Sequence, residues 1–182
     1  MDTRESLVSH ALTLIERDGI GSFSTRQVCT LSGVTAPTLY HHFGNADGLV
    51  SAAVTRGFEE FLARKTARLA KTDLAADLLD GWDDYVNFAA ERPRLYAAMA
   101  ARFLSGADIP AAREARAHLV TKLQALQGHN ALVLPVSAAA DVVWSTAHAA
   151  AMLWIAGTGP PDAAVIAALR QTAASVLKTD IR

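Results

Sequence analysis

Hydrophobic residues recur along this chain at spacings of three and four, which is the period of an α-helix rather than of a strand. In the first such run, Leu7, Ala11, Leu14 and Ile15 mark one apolar face. Prolines separate the later runs, and a proline fits a helix best in its first turn, so each predicts a start. These prolines are Pro37, Pro93, Pro110, Pro135 and the pair Pro160 and Pro161. The pattern predicts nine helices.

The predicted helices are short near the N-terminus and longer afterwards. Their expected bounds are 3–18, 25–32, 36–43, 46–70, 74–91, 93–104, 110–128, 135–157 and 160–178, with a joint at 71–73. Polar residues stand where N-caps are expected. Ser24 with Gln27 has the spacing of a capping box, and Thr35 and Asn45 precede the third and fourth helices. Each of these residues predicts where a helix begins.

Composition strengthens the helical prediction. Alanine, the best helix former, accounts for 37 of the 182 residues. The chain is 51% hydrophobic and 19% charged, which is enough for a core and argues against disorder. We therefore expect an all-α protein: a three-helix N-terminal domain over 1–48, joined through a long fourth helix to a helical bundle over 49–182.

Cysteine usage and the absence of a leader bear on location. Cys29 is the single cysteine, so neither an internal disulfide framework nor a cysteine-rich zinc site is expected. Residues 1–5 are polar and lack an apolar signal core. The most apolar stretch, 142–156, is shorter than the roughly 20 residues that span a bilayer. These features predict a cytoplasmic protein with no membrane segment and no cofactor or metal.

Residues 24–43 contain the most informative pattern. Two short predicted helices are joined by a turn at Gly33, and a supporting helix precedes them, which is the plan of a helix-turn-helix. The residues expected to form a small shared core are Val28, Leu31, Val34, Leu39 and Phe43. The other side of the third helix carries Ala36, Pro37, Thr38, Tyr40 and His41. A helix of this size fits the major groove of DNA.

The segment 24–45 resembles the DNA-binding domain of the tetracycline-repressor (TetR) family of bacterial regulators. The turn at Gly33 and Val34, the run from Pro37 to Tyr40, and His42 and Asn45 carry the resemblance. It implies phosphate contacts for Thr25, Thr38, Tyr40 and His42, base contacts for Arg26, Ala36 and Pro37, and a position over the groove for His41. Thr35, which caps the third helix, completes the expected DNA-binding set.

Two positions depart from the family pattern. The family usually has a lysine that grips phosphate at the start of the fourth helix, where this chain has Ala46, and Gly44 replaces another common cation. Net charge is also low: −1 overall, −2 over residues 1–47 and +1 over residues 1–71. We therefore expect weak non-specific binding, with specificity resting on two correctly spaced DNA-binding domains.

Several of these residues have simpler interpretations. Tyr40 is also explained as a side chain that covers the edge of the core, and Arg26 as a solvated surface charge. Cys29 is explained by a position in the core rather than by a role as a redox sensor. His41 and His42 form a poor metal pair, because adjacent helix positions diverge by about 100°.

From residue 74 onward, aromatic and apolar side chains recur at helical spacing. In the resembled family this part holds a small-molecule pocket, and its last two helices form a homodimer interface. The candidate ligand-binding residues are Tyr85, Phe88, Tyr96, Met99, Phe103, Trp144, His148 and Met152. A plain hydrophobic core explains such a stripe equally well. Alanines at 138–140, 147 and 149–151 permit close helix approach at a dimer interface, or simply reflect helix propensity.

The expected function is that of a ligand-responsive transcriptional regulator, a repressor that binds a palindromic operator as a homodimer and is released by a small apolar or aromatic molecule. The alternative is a DNA-binding dimer without an effector. A helical enzyme is the remaining rival, suggested by Asp141, Ser145 and His148. A catalytic triad needs the histidine between the nucleophile and the carboxylate, and here the serine lies between the other two, so no enzyme is expected.

Overall fold

The computed structural model describes residues 2–66, 72–107, 109–157 and 159–178, with side chains of 65 and 66 left aside. These residues form nine α-helices and one short 3₁₀ helix, Ile20–Ser22, and no strand. The helices are α1 Thr3–Asp18, α2 Thr25–Ser32, α3 Ala36–Phe43, α4 Ala46–Thr66, α5 Leu74–Glu91, α6 Pro93–Leu104, α7 Pro110–Gly128, α8 Val136–Ala156 and α9 Ala163–Ala174. The all-α prediction is confirmed. The expected end of the fourth helix near residue 70, and residue 71 of the expected joint, lie outside the described residues.

Capping explains most of the helix ends. Asn45 caps α4 as predicted, since its Oδ1 accepts a hydrogen bond from the Gly48 amide at 2.8 Å. The capping-box prediction at Ser24 is wrong, because Ser24 makes no side-chain cap bond. Thr35 precedes α3 but likewise does not cap it through its side chain. The Thr35 hydroxyl instead lies 3.1 Å from that of Thr38, which keeps it from the helix amides.

The last helix begins later than its prolines suggest. Asp162 is its N-cap, with Oδ1 accepting from the Ala164 amide at 2.8 Å, and α9 therefore starts at Ala163. Its end at Ala174 is followed by a single bridge between Leu132 and Leu177. No helix in the described part of the chain is long and apolar enough to cross a membrane.

The chain divides into two compact units, of which the first comprises residues 1–61 and 92–110. It contains α1–α3, most of α4, and α6, which packs against α1. Gly57 of α4 allows this close packing, because an added Cβ would lie 2.6 Å from Leu95 and 3.1 Å from Leu12. The unit therefore extends beyond the functional domain expected at 1–48, whose boundary stays a prediction.

One expected core residue is not in the core of this first unit. Leu31 is 53% exposed, whereas Val28 and Cys29 are buried and Val34 and Phe43 are half-buried. At 100° per residue, Leu31 lies about 110° from the middle of the face formed by Val28 and Cys29. The buried face of α2 is centred between Val28 and Cys29, so Leu31 falls outside it. Burial of Cys29 agrees with the core interpretation of its thiol.

The second unit comprises residues 62–91 and 111–182, in which α8 packs against both α5 and α9. Trp82 donates from Nε1 to the Thr146 hydroxyl at 3.2 Å, and Arg170 binds Asp83 through two bonds of 2.7 and 2.8 Å. Most of the alanines expected at an interface are buried inside the chain instead. These are Ala139, Ala140, Ala147, Ala150 and Ala151, whereas Ala149 is exposed.

Candidate nucleic-acid interface

The third helix presents one exposed side and one anchored side. Leu39 is only 1% exposed and fixes α3 in the first unit. Ala36, Pro37 and His41 are exposed on the remaining surface, and Tyr40 is 45% exposed. The surface of α3 that was expected to enter a DNA groove is therefore accessible in the folded unit.

The other expected DNA-binding residues lie in the first turn of α2, on α3 itself and at the position that precedes α3. Thr25 is half-buried in the first turn of α2, and Arg26 beside it is exposed. Thr35 and His42 are exposed at the two ends of α3, and Thr38 is half-buried. The rings of His41 and His42 lie 5.5 Å apart at an interplanar angle of 70°. The described residues include no group of three or more potential metal ligands.

Many cations of the first unit are already paired with carboxylates. Arg17 binds Asp18 at 2.6 Å, and this hydrogen bond raises the pKa of Arg17 and lowers the pKa of Asp18. Arg56 lies 3.3 Å from Glu60 and 3.6 Å from Glu5. Arg26, by contrast, makes no ion pair among the described residues. Its guanidinium, the one cation in the sequence of α2, is therefore available to bind an anion of another molecule.

Helix α6 and its N-cap residue contribute three arginines to this unit that no sequence motif marks. Arg92 donates to the Gly57 carbonyl at 3.2 Å and to Glu60 at 3.3 Å, and it also pairs with Glu16. Arg94 donates to the carbonyl oxygens of Glu16 and Arg17 at the end of α1. The first turn of α6 is thus tied to both α1 and α4.

The third arginine lies at the other end of α6. Arg102 donates from Nη2 to Asp47 Oδ1 at 2.5 Å and to the Asp47 carbonyl at 2.8 Å, and from Nη1 to Oδ2 at 3.3 Å. Asp47 belongs to the first turn of α4, next to Ala46, where the resemblance led us to expect a lysine. The two residues are 55 positions apart, so no local pattern could have paired them.

Three candidate ligand-binding residues form a cluster in the second unit. The Tyr85 hydroxyl lies 3.0 Å from His148 Nε2, and the ring of Trp144 lies 4.8 Å from that of His148. His148 Nδ1 lies 3.0 Å from the Trp144 carbonyl, which can only accept. The hydrogen is therefore on Nδ1, and the neutral ring accepts from Tyr85 through Nε2. Both ring nitrogens are bonded within the protein.

The remaining ligand candidates do not all join this cluster. Phe88 is buried in the second unit, and Met152 is 39% exposed there. Tyr96, Met99 and Phe103 lie on α6 in the first unit, where Tyr96 and Met99 are each 1% exposed. The eight candidates are thus divided between the two units, and their role in binding a ligand stays a prediction. Asp141 pairs with Arg116 at 2.5 Å.

The state of His148 leads to a prediction about pH. Burial lowers the pKa of His148 below its usual 6.5, with the positive charge of Arg116 acting in the same direction. Below about pH 6.5 the unfolded chain therefore binds a proton that the folded chain does not, and the free energy of unfolding falls as pH falls. The slope contributed by one group is at most about 1.4 kcal/mol per pH unit. Urea denaturation from pH 7.5 to 5 is expected to show a shallower loss of stability in His148→Gln than in wild type. Equal slopes would contradict the assignment of a neutral, buried ring.

In the first unit, α2 and α3 are joined by the turn at Gly33 and follow the plan of a helix-turn-helix, and comparison with known proteins shows what this domain is similar to. Residues 7–53 match the family model described as bacterial regulatory proteins, tetR family. A helix-turn-helix-type transcriptional regulator from Mycobacterium tuberculosis, itself uncharacterised, is 28% identical over 163 residues, which are 85% of this chain and 71% of the relative. Residues 7–53 therefore form a DNA-binding domain of the TetR type, as in a transcriptional regulator.

Solved structures share the fold over nearly the whole chain. A protein of unknown function from a Rhodococcus species aligns with a TM-score of 0.77 at 24% identity, covering 98% of this chain and 97% of the other. A TetR transcription regulator from Haloarcula marismortui aligns with a TM-score of 0.70 at 16% identity, covering 97% and 99%. At these identities the likeness establishes the fold of both units.

Proposed function

We propose that the protein is a repressor that binds a palindromic operator as a homodimer and is released by a small apolar or aromatic molecule. The observation that carries the DNA-binding part is the accessible surface of α3, with Tyr40 at 45% exposure beside the buried anchor Leu39. The residues that we propose to contact DNA are Thr25, Arg26, Thr35, Ala36, Pro37, Thr38, Tyr40, His41 and His42. Because its target is chromosomal DNA, we place the protein in the cytoplasm.

The surface of α9 supports a homodimer formed through the last two helices. The exposed positions of its first two turns are all apolar: Ala163, Ala164, Val165, Ala167 and Ala168. A helix facing water usually carries charged or polar residues on its outer side. Met152 on α8 adds a further exposed apolar side chain. Packing against a second copy of the chain would remove these apolar side chains on α8 and α9 from water. A dimer would also present two α3 helices to two half-sites on one face of the duplex.

The aromatic cluster of the second unit supports a ligand site built from Tyr85, Trp144 and His148, because ligand sites in helical bundles lie among facing helices. A bound molecule would release the DNA if it favoured a state with a different spacing of the two α3 helices. A second candidate function, a dimer with no effector, is favoured by the internal bonding of both His148 nitrogens. In that case the cluster is part of the core.

A gel-shift experiment with the DNA that flanks the gene tests the DNA-binding proposal. We expect a discrete complex at low salt that survives excess scrambled duplex, and sedimentation of the free protein as a dimer. Absence of any shift would exclude operator binding at that locus by this protein. A thermal-shift screen of small aromatic and apolar compounds, followed by gel shift with each hit, separates the two candidates. Stabilisation together with DNA release supports the ligand-responsive repressor, whereas no stabilisation by any compound favours the dimer without an effector.

A further inference from the structure

An exposed carboxylate at the start of α4 is paired with a buried cation from α6. The Asp47 side chain is 77% exposed, and the Arg102 side chain that binds it is 11% exposed. The helix begins three residues after the end of α3, with Asn45 as its cap. Asp47 is thus four residues from Phe43, which is at most about 15 Å along the chain.

A carboxylate in this place faces an electrostatic problem when DNA is bound. Duplex DNA carries about one negative charge per 1.7 Å of its axis, and screening at physiological salt acts over about 8 Å. Because the first turn of α4 follows α3 directly in the chain, we expect its carboxylate to come close to the flanking phosphates when the exposed surface of α3 enters a groove. An uncompensated Asp47 would therefore repel the DNA on which α3 must dock.

Arg102 is placed to remove that charge without touching DNA itself. Its guanidinium directs two bonds at the Asp47 carboxylate and one at the Asp47 carbonyl, while Nε is buried and makes no hydrogen bond within the described structure. The end of α6 that carries it is fixed, because the Arg102 carbonyl accepts from the Ser105 hydroxyl at 2.8 Å and the Ala107 amide at 3.0 Å. Because the Arg102 side chain is buried in this way, it cannot reach a phosphate of the DNA.

We propose that Arg102 is a positioning residue for DNA binding, which neutralises Asp47 so that the first turn of α4 can lie against the phosphate backbone beside α3. The inference rests on the proposed docking surface of α3. With Ala46 where the resemblance implies a phosphate-binding lysine, the first turn of α4 has no cation of its own to offset Asp47.

The test measures DNA affinity by fluorescence anisotropy, with a labelled 30-base-pair duplex selected by the wild-type protein from a random-sequence library. Arg102→Gln is expected to weaken binding about tenfold, and Arg102→Lys, which keeps the charge, much less. Adding Asp47→Asn to Arg102→Gln is expected to restore affinity to within about threefold of wild type, since the repelling carboxylate is gone. A purely structural role for Arg102 would give no such rescue. Lys122→Gln serves as the matched control, because it removes a cation from the pair between Lys122 and Asp77 in the second unit.

Each outcome has a definite meaning. If Arg102→Gln binds like wild type, or if Asp47→Asn fails to rescue it, the proposal is wrong. Should Arg102→Gln unfold, as judged by circular dichroism, Asp47→Asn alone decides: unchanged or tighter binding supports the proposal, and weakening of threefold or more overturns it. Failure of the proposed function would look different, since the wild-type protein would then select no duplex from the library.

Discussion

Gly48→Ala is expected to abolish specific DNA binding while the second unit stays folded. A Cβ added at Gly48 would stand 2.2 Å from the carbonyl oxygen of Phe43 and 3.2 Å from its carbonyl carbon. Both are backbone atoms at the end of α3, so relief requires α3 and α4 to move apart. Alanine would gain about 1 kcal/mol in helix propensity, and the strain of a forced contact costs about 1–3 kcal/mol. We expect the strain to win, because no flexible side chain can absorb it.

We expect the displacement of α3 to reduce DNA binding more than it reduces the free energy of unfolding. The amide of Gly48 also donates to the Asn45 cap, so a shift of this turn weakens the N-terminus of α4 at the same time. The measurement pairs gel shift with thermal unfolding followed by circular dichroism. Gly128→Ala is the control, since Gly128 ends α7 with open space around an added Cβ. Gly128→Ala should bind DNA normally, and normal binding by Gly48→Ala would show that the turn between α3 and α4 adjusts freely.

Local patterns predicted the helices well because the determinants of a helix lie within a few residues. Four of the five proline positions mark helix starts, the cap at Asn45 lies three residues before the amide from which it accepts, and the anchor Leu39 follows from spacing alone. The errors are also local. Periodicity places Leu31 in the core, but the face of α2 that packs inward is centred between Val28 and Cys29. The side chains of Ser24 and Thr35 fit a cap by type, yet do not form its bonds.

The organisation of the first unit could not be predicted in this way. The attachment of α6 to α1 and α4 depends on ion pairs between residues that are far apart in the chain. Arg92 and Glu16 are 76 residues apart, and Arg102 and Asp47 are 55 residues apart. Spacing along a helix contains no information on which distant helix receives its side chains. For the same reason Tyr96 and Met99 were grouped with Tyr85 and Trp144 by residue type, although α6 packs in the other unit. Candidate DNA contacts were easier to predict, since they lie within one short segment.

Tyr40→Ala is expected to weaken binding to every duplex while leaving folding and the oligomeric state of the protein unchanged. The side chain is 45% exposed, so its removal costs little core packing, and substitutions at such positions usually change the free energy of unfolding by less than about 0.5 kcal/mol. A phosphate contact holds the helix on the backbone whatever the base sequence. Operator and scrambled duplexes should therefore lose affinity by similar factors, and the salt dependence of binding should flatten by about one ion per contact.

Two further variants separate the parts of this effect. Tyr40→Phe keeps the ring and removes the hydroxyl, so it should reproduce most of the loss if the hydroxyl binds phosphate. Arg26→Ala should behave differently, costing about 1–3 kcal/mol and relaxing the preference at a single base pair, as expected for a guanidinium on a guanine. Size-exclusion chromatography checks that all three variants elute at the volume of the wild-type protein. If Tyr40→Ala binds DNA as wild type does, then α3 meets the groove with another of its faces, and the contact set from Thr35 to His42 must be reassigned around the helix.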